Sequence, residues 1–250
     1  MPRSGLRWGA LVMAAGLVVG CAEAPVTGRS QLMLIDDEQA AALGADAWQQ
    51  IKADMKVSGD SAARARVRDM GERIAAVSGA EGIDWEFELF EEPTPNAFAL
   101  PGGQIGVNTG MLTIAENDDQ LAAVLAHEVG HVVARHVSEQ LSQSAAIQTA
   151  LGTAGLTEGA AGALAQMATG VGQLSFSRSA EAEADRIGLE YMARAGYDPR
   201  AAVELWRNME TAAGGGQPPE FLSTHPNPGS RIEAIEAALP EVMPVYEENR

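Results

Sequence analysis

The segment Ala126-His127-Glu128-Val129-Gly130-His131 constrains this chain more than any other. Two histidines at i and i+4 on a helix lie one turn apart on one face. Both imidazoles can then reach a single metal ion at about 2.0–2.1 Å. Glu128 projects from an adjacent face, where it can reach a water polarised by that ion without being a ligand. These parts suit a zinc hydrolase with the glutamate as general base. The flanking sequence predicts a helix. Asn117-Asp118-Asp119-Gln120 supplies an N-cap and an acidic first turn, and Leu121, Val124, Leu125, Val129, Val132 and Val133 are spaced as an apolar stripe. A buried helix face carrying His, Glu and His needs partners for all three.

A catalytic zinc needs a third protein ligand and an open position for water. The chain has four histidines and one cysteine, and no third histidine stands at a helical spacing that would complete the pair. On a continued helix His136 points away from His127 and His131, and it reads as a helix-end or packing histidine. A carboxylate on another helix is therefore the expected source. The run Ser177 to Asp185 opens such a helix, which continues through Ile187, Leu189 and Tyr191 to a stop at Gly196. Glu181 and Asp185 are i and i+4 and share a face; spacing alone does not choose between them. Glu183 is turned roughly 200° from Glu181 and is expected in solvent.

His127-Glu128-Val129-Gly130-His131, together with Ser177-Arg178, Glu181 and Ala184-Asp185, resembles metallopeptidase family forty-eight. The family's second motif reads S-R-x-x-E-x-x-A-D, and every fixed position is matched here. The resemblance runs from about Ile35 to Ala238. It implies an α+β fold, a mostly helical zincin-like domain with a small antiparallel sheet. It also implies one zinc ion per chain with Glu181 as the third ligand, and Asp185 as a carboxylate behind a zinc-bound histidine, fixing the ring's orientation. Pro95 to Asn108 reads as two short strands around a Pro-Gly-Gly turn. It is similar to the family's N-A-F-x-x-P-G-G segment at the sheet edge beside the active site. Asn96, Ala97 and Phe98 would there bind an extended peptide by strand addition; the alternative is a plain hairpin with its edge covered. Ser223 to Ile232 is similar to the late motif S-x-H-P-x-x-x-x-R-I. By that likeness His225 either stabilises the oxyanion or caps the metal at rest. From its sequence context of turn residues, it would be a loosely held loop histidine.

At the amino terminus, Arg3 and Arg7 precede an apolar run from Trp8 to Val19 that is too short for a comfortable membrane span. Leu17-Val18-Val19-Gly20-Cys21 resembles a bacterial lipobox. The expectation is a lipoprotein signal peptide over residues 1–20 and a lipidated tether over 21–34 beginning at Cys21. A metallopeptidase domain over 35–240 and an acidic tail over 241–250 follow. Ala22 after the cysteine implies placement on the periplasmic side of the outer membrane, anchored by more than one acyl chain. With a single cysteine there is no intramolecular disulfide. The formal net charge of −17 argues against nucleic acid as a partner.

Elsewhere, helices are predicted from Asp36 to about Val57, from Ser61 to Val77, from Asp198-Pro199 to Met209, and from Pro228 to Leu239. Trp85 to Phe90 alternates with period two and predicts a strand. The Ala/Gly/Gln-rich interval from Ser138 to Leu174 reads as two mobile helices or a lid beside the cleft. The functional expectation is a zinc endopeptidase of the bacterial envelope acting on polypeptide substrates. The alternative is a chaperone or scaffold linked to outer-membrane assembly machinery, with little proteolysis.

Overall fold

The computed structural model describes residues 21–150, 160–168, 176–214, 220–225 and 228–250. The expected signal peptide over 1–20 and parts of the expected lid (151–159 and 169–174) lie outside the described residues. The elements in chain order are β1 (Cys21–Glu23), β2 (Ser30–Leu32), α1 (Asp37–Asp54), α2 (Ser61–Ala76), β3 (Glu86–Phe90), β4 (Ala97–Ala99), β5 (Gln104–Asn108), α3 (Met111–Ile114), α4 (Asp118–Val133), α5 (His136–Ala150), α6 (Ala160–Ala168), α7 (Arg178–Arg194), α8 (Ala201–Gly214), α9 (Phe221–Thr224) and α10 (Pro228–Asn249). This is an α+β, mostly helical domain. Among the described residues no helix is long and apolar enough to cross a membrane.

Helix starts follow their caps. The carboxylates of Asp36 and Asp60 accept from the exposed amides at the starts of α1 and α2, as the Asn117 side chain does for α4 and the Ser177 hydroxyl for α7. The main sheet has the order β3-β5-β4. β4 and β5 form the predicted hairpin, with Phe98 opposite Gly106. β3, however, pairs parallel with β5, Glu86 opposite Gln104. The expected antiparallel sheet is therefore mixed: the chain leaves β3, crosses to the far edge as β4 and returns through the centre.

The two faces of this sheet divide the core. Phe87, Leu89, Ile105 and Val107 join one cluster with α2, α4, α7 and α8. Phe90, Phe98 and Leu100 join another with Trp48 and Ile51 of α1 and Leu164 of α6. Trp48 meets Phe90 edge-on at 5.5 Å between ring centroids. Helix α4 is not an amphipathic surface helix: every residue from Gln120 to Val133 is buried. The described part of the expected lid is docked, with Leu164 and Ala165 of α6 buried and the helix lying on α1.

Two segments take defined forms. Residues 21–34, the expected tether, are docked. They form the β1–β2 hairpin, in which Cys21 lies opposite Leu32 and the buried Gln31 side chain donates to the Ala134 carbonyl at 2.6 Å. The expected acidic tail is a continuation of α10 through Pro240 and Pro244 to Asn249. Its Val242 is buried, with Val245 and Tyr246 packed against the same cluster. Apolar residues at 242, 245 and 246 repeat at helical spacing, and that periodicity outweighs the prolines.

Candidate metal centre

The most extensive helix packing among the described residues is α4 on α7, and two glycines permit it. A Cβ on Gly130 would lie 2.9 Å from the Ala184 carbonyl oxygen, and one on Gly188 would lie 3.1 Å from the His127 amide nitrogen. Backbones this close bring short side chains on the two helices within reach of each other. Glu181 and Asp185 of α7 thereby stand against His131 and His127 of α4.

All four histidines of the chain converge here. His127 Nε2 lies 3.0 Å from His131 Nε2 and 3.2 Å from His225 Nδ1. Glu181 completes the cluster, with Oε1 3.0 Å from His225 Nδ1 and 3.6 Å from His131 Nε2, and Oε2 3.5 Å from His127 Nε2. One donor atom from each of His127, His131, Glu181 and His225 lies within 4.8 Å of the others, and all four residues are buried. Ligands bound at about 2.0–2.1 Å around a tetrahedral ion stand about 3.3 Å apart. The observed spacings bracket that edge length, so the donor set fits a small divalent ion.

Glu128 sits beside this cluster. Its Oε1 is buried with no hydrogen-bond partner and lies 3.5 Å from His225 Nε2. Burial pushes the Glu128 carboxyl above its ordinary pKa, against the pull of His225 and His127. Burial has the same effect on Glu181, but His225, His127 and Arg231 outweigh it and hold this group far below the usual carboxylate range. For His127, burial and Arg231 lower the pKa, but Asp185 and Glu181 prevail and raise it to about 9. Burial and the neighbouring His127 depress His131 well below the ordinary imidazole value, against the pull of Glu181.

Asp185 Oδ1 lies 3.0 Å from His127 Nδ1, the geometry for fixing that ring with Nε2 toward the cluster. His225 is not a loosely held loop histidine. It is 1 % exposed at the end of α9, and its ring stacks on Phe221 at 4.2 Å with Phe176 on another side at 5.6 Å. Phe221 is itself pinned by Trp206 and by a bond from its amide to the Pro95 carbonyl. Asn96 is buried, and both polar atoms of its side chain lack partners. It directly precedes β4, one of the two edge strands of this sheet, whose Ala97 and Phe98 are buried as well. Cys21 lies in β1, apart from this centre in the sequence order of elements.

Three residues near the centre escaped the sequence reading. His136 does not point away. Helix α4 ends at Val133, Arg135 takes a left-handed conformation (φ 59°), and α5 restarts at His136. The turn places His136 Nδ1 2.9 Å from His131 Nδ1. Glu183 is not in solvent. It faces away from Glu181 as expected, but α5 and the amino-terminal hairpin cover that side, and it is 7 % exposed. Its carboxylate lies 3.1 Å from His136 Nε2 and accepts from Arg29 Nε at 2.6 Å and from the Thr27 hydroxyl. Burial raises the Glu183 pKa, and these three partners overcome it and bring it to about 2. Arg231, a fixed position of the late motif, is buried between Glu181 and Asp185. Its Nη1 is 2.5 Å from Glu181 Oε2, its Nε donates to Asp185 Oδ2 at 2.7 Å, and its guanidinium lies 3.8 Å over the Trp206 ring.

Four buried donors around one point, with the buried carboxylate of Glu128 alongside, define the centre of a metal-dependent peptidase class. The chain belongs to peptidase family M48, whose model matches residues 61–239. It is 44% identical over 173 residues to the mitochondrial metalloendopeptidase OMA1 of Schizosaccharomyces pombe, covering 68% of this chain and 51% of that protein. The human mitochondrial metalloendopeptidase OMA1 is 34% identical over 245 residues, covering 89% of this chain and 47% of its own. The beta-barrel assembly-enhancing protease of Yersinia pestis is 29% identical over 222 residues, covering 83% of this chain and 45% of its own. The chain spans about half the length of the curated relatives it matches.

Proposed function

We propose that this chain is a zinc-dependent endopeptidase of the bacterial envelope that cleaves misfolded or misassembled envelope proteins. The observation that carries this reading is the buried four-donor cluster with Glu128 beside it. His127, His131 and Glu181 would hold the ion. Zinc, when bound, supplies Lewis-acid polarisation of the scissile carbonyl and of the attacking water.

Glu128 accepts the proton of the attacking water and returns it to the leaving amine. A carboxyl raised by burial is a stronger base than an exposed one, which suits this work near neutral pH. Asp185 orients His127. A catalytic zinc site keeps one position open, whereas His225 Nδ1 occupies the fourth corner of the cluster. Of its two expected roles, capping at rest therefore has the better support; stabilising an oxyanion requires the ring to swing out. Asn96, Ala97 and Phe98 align an extended substrate along β4. Support comes from the position of β4 at the edge of the sheet and from the unpaired Asn96 amide.

Localisation rests on the residues around Cys21. Acylation there anchors the domain to the outer membrane, facing the periplasm. A second reading, a scaffold in outer-membrane assembly with little proteolysis, draws on the names of the Yersinia pestis and Escherichia coli relatives, both beta-barrel assembly-enhancing proteases. It also draws on the occupied fourth corner.

Glu128→Gln decides between them. The variant is expected to keep zinc and to lose at least about 10²-fold in cleavage of an unfolded polypeptide. Undiminished cleavage would overturn the mechanism. A wild-type protein that binds zinc and cleaves nothing would favour the scaffold.

A further inference from the structure

The two metal-pair histidines are supported differently. His127 has a carboxylate directly on its Nδ1, Asp185 at 3.0 Å. His131 has none. Its Nδ1 faces another imidazole nitrogen, His136 Nδ1, at 2.9 Å. Only one of those two nitrogens carries the proton between them. The far side of His136 settles which. Its Nε2 lies 3.1 Å from Glu183 Oε2, and an ionised carboxylate only accepts, so the His136 proton is on Nε2. His136 Nδ1 is then bare and accepts, and His131 Nδ1–H donates to it. His131 Nε2 is left with a lone pair facing the cluster, the form a metal ligand needs.

The other end of this relay is held from outside the catalytic helices. Arg29, on the turn of the β1–β2 hairpin, donates from Nε to Glu183 at 2.6 Å and forks onto Glu139 of α5 at 3.0 and 2.6 Å. Thr27 adds its hydroxyl to Glu183. Gln31 ties the returning strand to Glu139 at 3.1 Å and to the Ala134 carbonyl, at the break between α4 and α5. A bidentate guanidinium on one carboxylate and a third contact on another is a directional clamp.

We propose that His136 and Glu183 are positioning residues for the metal centre. Through them the docked amino-terminal hairpin, by way of Arg29, sets the tautomer and orientation of His131. The inference rests on the metallopeptidase reading, which makes His131 a ligand. It adds that the segment directly following Cys21 is part of the centre's support, so that displacing the hairpin loosens the metal.

The test uses the full chain and zinc itself. Long-range ¹H–¹⁵N correlation spectra of the histidine rings should show His136 protonated at Nε2 and bare at Nδ1. In competition with a chromophoric chelator, Glu183→Gln should weaken zinc binding by about 10–100-fold. Arg29→Gln should weaken it in the same direction by a smaller factor. In the cobalt-substituted protein both variants should shift the visible absorption, a signature that loss of stability alone does not move. A His136 proton on Nδ1, or zinc affinity and cobalt spectra unchanged in both variants, would overturn the proposal. Should Glu183→Gln fail to fold, Arg29→Gln, changed at a part-exposed hairpin residue, decides alone. A wild-type chain that takes up no divalent ion would instead sink the metallopeptidase reading, and this inference with it.

Discussion

Arg231 is the cation that lets two buried carboxylates, Glu181 and Asp185, stand side by side. Removing one member of a buried ion cluster leaves uncompensated charge and costs about 3–5 kcal/mol. Arg231→Met is expected to lower the urea midpoint of the metal-free protein accordingly. The loss should be smaller in the zinc-loaded protein, where the ion supplies positive charge; equal losses in both states would contradict this account. Arg231 was present in the sequence as a fixed motif position, yet nothing in its neighbours announced what it touches, because Glu181 and Asp185 lie far away along the chain. His127 with His131, and Glu181 with Asp185, are legible as two pairs because a helix turns i, i+4 spacing into a shared face, while the choice of Glu181 over Asp185 as ligand comes from the family resemblance alone. The places of His136 and Glu183 are not legible from spacing, because the helix breaks after Val133 and because α5 and the amino-terminal hairpin, not solvent, cover the side of α7 turned from Glu181.

At the scale of elements, the crossing of α4 and α7 depends on what is missing from Gly130. A Cβ there would meet backbone, the Ala184 carbonyl, at 2.9 Å, whereas one on Gly188 would meet backbone atoms at 3.1–3.3 Å. Alanine gains about 1 kcal/mol over glycine in a helix interior, but overpacking costs about 1–3 kcal/mol. Gly130→Ala is thus expected to be destabilised by up to about 2 kcal/mol and to bind zinc more weakly, since the Glu181 helix must back away. Gly188→Ala should be closer to neutral. Paired thermal melts and chelator competition would expose the reverse order if the crossing is softer than this.

The α2–β3 junction carries a pH prediction. Burial raises the Glu88 pKa, but Arg64, donating at 2.8 and 2.7 Å, and the Leu89 amide outweigh it and leave it lowered. The unfolded chain therefore binds the proton more readily, at about pH 4.3. Glu88 stabilises the fold above that value, and its contribution is lost as pH falls through the lower folded value. Glu88→Gln should flatten the acid limb of the stability profile; an unaltered limb would show the pair to be inert. These elements were largely visible in advance from caps and periodicity. The parallel pairing of β3 with β5 was not, because register between distant strands has no local signature.

For the whole molecule, the carboxyl-terminal helix is structural. Val242 is buried, and Asn249 places its carbonyl against Gly196 at the end of α7. A protein ending at Pro240 is expected to lose about 1.5–3 kcal/mol from Val242 alone, read as a lower urea midpoint; an unchanged midpoint would return residues 241–250 to the status of a tail. Prolines and a high density of acids concealed this helix, whereas tertiary packing sustains it.

The donors are also scattered. His127 and His225 meet across 98 residues of chain, and Arg231 arrives later still. A newly made polypeptide emerging amino end first carries His127 and His131 together, whereas Glu181 and His225 follow later, so the four-donor cluster closes only after α9 has been made. A centre assembled in this way is complete only once both halves of the chain have been made, so a metal ion would join the fold late.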